Sequence, residues 1–179
     1  MLPPVSESAS QQGAIPKEEA LLRRYLDRAI RTIESVRDAR DEFDQAFRIS
    51  EAIRMTARAI ERMRLNLSIT DSAPFITSEA HEYYLMLDMG VPKVRVITRR
   101  NGKVLNVSDW WLSDRYNFVP SIKVAMITSG RLSAFLRMVA EELRKRNQDE
   151  RADQISGLVE AIEKVMEHMG GGKVEEVGG

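Results

Sequence analysis

From Lys17 to Ala73 the chain contains neither glycine nor proline, and its apolar residues recur there at helical intervals. Leu22, Leu26, Ala29, Ile33, Val36, Phe43 and Phe47 follow alternating steps of four and three, with Arg40 in the one empty slot. Ile53, Thr56, Ile60, Met63 and Leu67 continue the stripe after a small shift. That spacing puts one apolar face on a helix. Pro16 suits the first helical turn, where its missing N–H leaves no bond unmade. The stretch reads either as one helix of about fifty residues, roughly 75 Å at 1.5 Å per residue, or as a hairpin turning near Asp44–Ser50. Either way the stripe needs a partner, from this chain or from a second copy.

The second strong signal is "KVRVITRRNGKVLNVSDWW", Lys93 to Trp111. Asn-Gly favours a type I′ turn, because both central residues need positive φ. A two-residue loop at Asn101–Gly102 pairs Arg100 with Lys103, Thr98 with Leu105 and Val96 with Val107. Without a bulge, Val94, Val96, Leu105, Val107 and Trp111 share a core face. Arg95, Ile97, Arg99, Asn106, Ser108 and Trp110 then share a cationic face with an aromatic at its edge. From Lys93 to Lys123 there are seven Lys/Arg and two Asp, a local +5 inside a chain of net charge +0. An averaged charge conceals such a patch.

The rest follows by pattern. "SITDSAPFITS" is a loop by composition. Residues 79–92, "EAHEYYLMLDMGVP", read equally as a helix capped by Ser78 or as an alternating strand. "SIKVAMIT" (121–128) reads as a strand, with Ile122, Val124 and Met126 on one side and Lys123 on the other. Leu132, Leu136, Val139 and Leu143 mark a helix. Asn147 with Glu150 resembles a capping box for a last helix through Ala152, Ile155, Val159, Ile162, Met166 and Met169, which Gly170 is expected to end. The opening "MLPPVSESASQQGAI" has neither a basic n-region nor an apolar h-region and does not read as a signal peptide. No apolar run approaches the ~20 residues of a membrane span. The division expected is a mobile tail 1–15, a long helix or helical hairpin 16–67, a sheet-plus-helix unit 68–146, an oligomerising helix 147–169 and a mobile tail 170–179.

With these elements in order, the segment from about Leu85 to Leu143 resembles the positive-cofactor-four-like single-stranded-DNA-binding domain. "NGKVLNVSDWW" is similar to that family's third strand, and "VPSIKVAMITSGRLSAFL" falls in register with its fourth strand and helix. "LDMGVPKVRVITRRNGK" suits the first two strands, which turns Glu82–Met89 towards strand. The resemblance implies an α+β fold: a small curved four-stranded antiparallel sheet followed by a helix, flanked by long amphipathic helices. It places Trp110 or Trp111 at a base-stacking position and Lys123 at the strand-four lysine. Arg100, Ser108 and Val124 depart from the family pattern. The flanking helices resemble in organisation the crenarchaeal ThermoDBP proteins, single-stranded-DNA binders with a zipper-like dimerisation helix.

Single strands are held by cations along phosphates and aromatics stacked on bases. The residues offering both are Lys93, Arg95, Arg99, Arg100, Lys103, Trp110, Trp111, Arg115, Tyr116 and Lys123. Arg54, Arg58 and Arg62 read as an ordinary solvated stripe. There is no cysteine, so disulfides, thiolate nucleophiles and cysteine metal sites are excluded. His81 and His168 stand alone. Asp38, Asp41 and Asp44 lack a nucleophile or phosphate loop to complete a catalytic set and read as solvent-facing charges. The expectation is a cytoplasmic, non-enzymatic, sequence-tolerant binder of single-stranded DNA or RNA. It has no cofactor, metal or membrane partner, and its helices assemble a homodimer or higher oligomer. The alternative is a helical assembly protein that never touches nucleic acid.

Overall fold

The computed structural model describes the backbone of residues 16–178 and the side chains of residues 16–169; the expected tail 1–15 lies outside the described residues. The fold is α+β. Helix α1 (Lys17–Glu34) passes through a 3₁₀ turn (Ser35–Asp38) into α2 (Glu42–Arg62). Strands β1 (Ile69–Thr70), β2 (Ile76–Thr77), β3 (His81–Asp88), β4 (Val91–Arg100) and β5 (Lys103–Trp111) follow, then α3 (Pro120–Thr128), α4 (Arg131–Lys145) and α5 (Asp149–Gly178). The sheet is antiparallel and open, in the order β1-β3-β4-β5, with β2 also on β3.

The first helical stretch is a hairpin, and it turns earlier than Asp44. Asp41 takes an extended conformation and its Oδ1 accepts the Asp44 N–H at 2.7 Å. The Asp44 carboxylate in turn accepts the Arg40 N–H at 3.0 Å. This reciprocal cap restarts the helix, and the restart shifts the phase of the stripe. Leu22, Leu26, Ala29, Ile33 and Val36 are buried as their spacing requires, but Phe43 and Phe47 point to solvent. Asp41 and Asp44 are therefore capping residues rather than free surface charges.

The apolar seams that seemed to need a second chain cover one another. The stripe of α1 packs against α2 and against α5, whose Ala152, Ile155, Leu158, Ile162 and Val165 are buried. Arg151 of α5 holds Glu19 of α1 through both carboxylate oxygens, at 3.2 and 3.0 Å. α4 packs along α5 and reaches β3. Ile33 and Val36, part of the stripe that needed a partner, are core residues of one chain.

Three further expectations change. Residues 121–128 form helix α3, not a fourth long strand. Pro120 occupies its first turn, where the fixed φ favours helix and no N–H is missed, and Lys123 and Ile127, four apart, are buried together. The lysine therefore does not lie on a strand. Asn147 closes α4 instead of capping α5: at φ 61° it donates to the Arg144 carbonyl while Gln148 donates to Leu143, a Schellman closure. The last helix runs past Gly170 to Gly178; glycine costs about 1 kcal/mol per helical position without sterically forbidding it. Glu82–Met89, by contrast, is strand in all but its last residue.

Two tight turns shape the sheet. Met89–Gly90 joins β3 to β4 and Asn101–Gly102 joins β4 to β5, with positive φ throughout. At Gly90 (φ 84°) a Cβ would come within 2.3 Å of the Leu65 carbonyl oxygen, whereas at Gly102 (φ 78°) it would meet open space. Gly102→Ala therefore carries only the backbone penalty, about 1 kcal/mol, while Gly90→Ala also displaces the chain at Leu65 and is expected to cost about 3 kcal/mol or more. Denaturant unfolding of the two variants measures the difference.

Candidate nucleic-acid interface

The β4–β5 hairpin begins in the expected register, with Arg100 opposite Lys103. A bulge follows. Arg99 pairs with Val104 but Thr98 pairs with Asn106, so Leu105 is the extra residue. One inserted residue turns every later side chain to the other face. Val96 consequently faces Ser108, Val94 faces Trp110, and Lys93 faces Trp111. The two tryptophans have exchanged roles: Trp111 lies with Lys93 and Arg95, and Trp110 with the valines. The predicted core face of Leu105, Val107 and Trp111 does not exist, nor does the predicted grouping of Asn106, Ser108 and Trp110 with the arginines.

Neither tryptophan is core. Trp110 is 45% exposed and Trp111 48%, because β5 is the sheet edge and α2 packs on β4, one strand inward. Val104, Leu105 and Val107 are exposed beside them. The Trp110 indole donates to Ser108 Oγ at 3.0 Å. The Lys93 ammonium stands 5.8 Å from the Trp111 ring centre, within cation–π range.

The cations of the outer sheet face are largely neutralised. Arg95 holds both oxygens of Asp109 at 2.9 and 3.1 Å. Arg99 donates to Glu82 at 2.5 Å, and Lys93 donates to Asp88 at 2.8 Å. The arginines keep the carboxyls of Asp109 and Glu82 below the usual range, and both arginines are raised in turn. Tyr84 donates its hydroxyl to the same Glu82 at 3.1 Å. Glu82 and Asp88 were absent from the reading of the hairpin because they come from β3. Arg100 and Lys103 sit at the exposed turn and make no ion pair among the described residues.

The remaining predicted residues gather elsewhere. The loop from Leu112 to Val119 leads off β5 and carries Arg115 and Tyr116, the latter 88% exposed. This loop and α3 face the first half of α2. Phe47, Glu51, Arg54, Arg115, Phe118 and Lys123 line a cleft of about 250 Å³ between them. Arg54 donates twice to Glu51 Oε2, at 3.1 and 2.9 Å. Arg115 approaches the other Glu51 oxygen at 3.6 Å. Lys123 is only 2% exposed, and burial pushes its ammonium below the usual lysine range. Arg54, read as part of a solvated stripe, thus belongs to a cleft. Phe47 belongs there too, and only the reset of helical phase at Asp41 reveals it. Comparison with protein-family models, curated proteins and solved structures gave no match.

Farther along α2, Glu61 borders the same loop. Its Oε2 is buried without a hydrogen-bond partner. Burial raises its pKa, against the opposing influence of the Ser113 hydroxyl, Arg58 and Arg62. A raised carboxyl pKa means the folded state binds the proton more tightly than the unfolded one. Stability is full below the unfolded value and declines as pH rises through the folded one. Glu61→Gln is therefore expected to stabilise at pH 7, by about 1 kcal/mol, and to change little at about pH 3, well below the ordinary glutamate value, where both states are protonated. Thermal unfolding at the two pH values gives the comparison; an equal shift at both would assign the effect to packing.

Proposed function

We propose that this protein binds single-stranded nucleic acid, DNA in the first instance, with little sequence preference and without catalysing a reaction. The observation that carries the reading is the pair of half-exposed tryptophans at the end of an edge strand, with Tyr116 exposed on the loop that follows. Large aromatics left in water at a sheet edge mark a contact surface. Stacking on them suits any base. Arg100, Lys103 and Arg115 supply charge for phosphates along the strand. Lys93, Arg95 and Arg99 belong to ion pairs and shape the platform. A cytoplasmic setting goes with this reading. No helix among the described residues is long and apolar enough to cross a membrane.

A second reading, assembly through protein–protein contact, is favoured by Val104, Leu105 and Val107, exposed on the same strand. With the helical seams buried, pairing along the β5 edge is the form such assembly would take.

Titration of labelled single-stranded and duplex oligonucleotides at two salt concentrations separates the readings. Single strands are expected to bind more tightly than duplex, and more weakly as salt rises, because bound cations release counterions. Trp110→Ala and Trp111→Ala should each weaken binding by about 1–3 kcal/mol. Their unfolding free energies should move far less than the roughly 3–5 kcal/mol of a buried aromatic. Lys103→Ala should weaken binding more than Arg95→Ala, whose charge Asp109 already offsets. No binding at low salt, together with concentration-dependent dimers by light scattering, would favour the second reading.

A further inference from the structure

The cleft between α2, the 112–119 loop and α3 contains three cationic side chains against one carboxylate among its lining residues. Glu51 divides its charge between Arg54 and Arg115. Lys123 has no hydrogen bond or ion pair to any described residue, although it is almost wholly enclosed. A largely enclosed ammonium without a paired anion is costly; the Lys123 Nζ is not among the fully buried unpartnered atoms and so reaches solvent through the cleft, and no feature of the fold requires a lysine there: its neighbours on α3, Met126 and Ile127, are ordinary core residues. Asp114, the other acid whose charge acts on Lys123, caps its own loop by accepting the Tyr116 N–H at 2.9 Å.

We infer that this cleft is a binding site for a phosphate monoester, with Lys123 at its floor and Arg54 and Arg115 on its walls. The floor position decides between an internal and a terminal phosphate. A phosphodiester running along the surface would meet Arg115, whose side chain is 58% exposed, but not a lysine buried to 2%. A terminal phosphoryl group is able to enter end-on. Arg54 commits Nε and one terminal nitrogen to Glu51 and retains its other terminal nitrogen, while Arg115 makes no hydrogen bond within 3.5 Å to that carboxylate. Free guanidinium donors of this kind suit phosphate oxygens. Phe47 and Phe118 border the entrance and offer apolar surface to a sugar or base. Two sources carry the required chemistry: the phosphorylated end of a strand and a free nucleoside monophosphate. The choice of the strand end rests on the nucleic-acid reading above; the phosphate chemistry does not.

The test uses the full chain, a 5′-phosphorylated oligonucleotide, a 3′-phosphorylated one, the same strand with hydroxyl ends, and a nucleoside monophosphate. The variants are Lys123→Met and Arg54→Gln. Lys123→Met removes a buried charge and is expected to raise the melting temperature without ligand, so loss of folding does not confuse the result. A phosphorylated end should tighten binding by about tenfold, the equivalent of one charge-assisted contact. Both variants should abolish that difference, with hydroxyl-ended binding retained. The phosphate-dependent part should weaken towards alkaline pH, because burial makes Lys123 lose its proton more easily than an ordinary lysine; Glu51, Arg54, Asp114 and Arg115 are the charged groups around it. A monophosphate that raises the wild-type melting temperature but not that of Lys123→Met, with no strand bound, would keep the phosphate site and overturn the nucleic-acid reading. Equal binding of phosphorylated and hydroxyl ends with no effect of the monophosphate would overturn the site and leave that reading standing. A phosphate preference that survives in both variants would likewise place it elsewhere.

Discussion

The structure is organised around the burial of α2 on more than one side. Ile49, Ile53, Ile60 and Met55 lie in the core together with Ala52, Ala57 and Ala59, so apolar and small residues cover most of its circumference. α1 lies along one side, β4 on another and α3 on a third. Each fully buried isoleucine contributes roughly 1.5–3 kcal/mol, and the alanines let neighbouring backbones approach. A helix enclosed in this way cannot also be the middle of a 75 Å rod. The choice between rod and hairpin is decided by what α2 must bury, and the reciprocal Asp41–Asp44 cap places the turn.

That arrangement also positions the candidate site. Because α2 lies over β4, β5 extends past the helical layer and keeps its tryptophans in water. Because α2 restarts at Asp41, Phe43 and Phe47 rotate out of the core, and Phe47 meets the loop that leaves β5. The cleft is thus bounded by the first half of α2, the start of α3 and the loop that joins β5 to α3. Its charges come from two stretches far apart in the chain, Glu51–Arg54 and Arg115–Lys123.

Much of the fold was legible. The a/d stripe of α1, the Asn-Gly turn and the core residues of α4 and α5 follow from local pattern, whereas 68–78, read as a loop, carries the short strands β1 and β2 paired with β3. What escaped was set by single residues with ambiguous roles. Leu105 as a bulge has no sequence mark, yet it reverses the face of everything after it. Pro120 did carry a helix-start signal, but a nearly continuous apolar run from Ile122 to Ile127 has no decisive period. Asp41 and Asp44 read as surface charge until both are placed around one helix start. Of the site, the residue types were legible and the grouping was not: carboxylates from β3 and a phenylalanine from the apolar stripe entered from elements that the hairpin alone does not show.

The two cationic regions differ in a way that matters for binding. On the sheet, Glu82–Arg99, Asp88–Lys93 and Asp109–Arg95 are partly exposed pairs, each worth about 0–1 kcal/mol to stability; they hold side chains in register across β3, β4 and β5 more than they stabilise them. A phosphate approaching that face must compete with a carboxylate already in place. In the cleft the balance is reversed, since one carboxylate serves two arginines and the lysine has none. An arriving phosphate there meets a lysine that no ion pair occupies, and it relieves a burial cost that the folded chain already bears. By that difference, an anion meets fixed carboxylates on the sheet and an uncompensated lysine in the cleft.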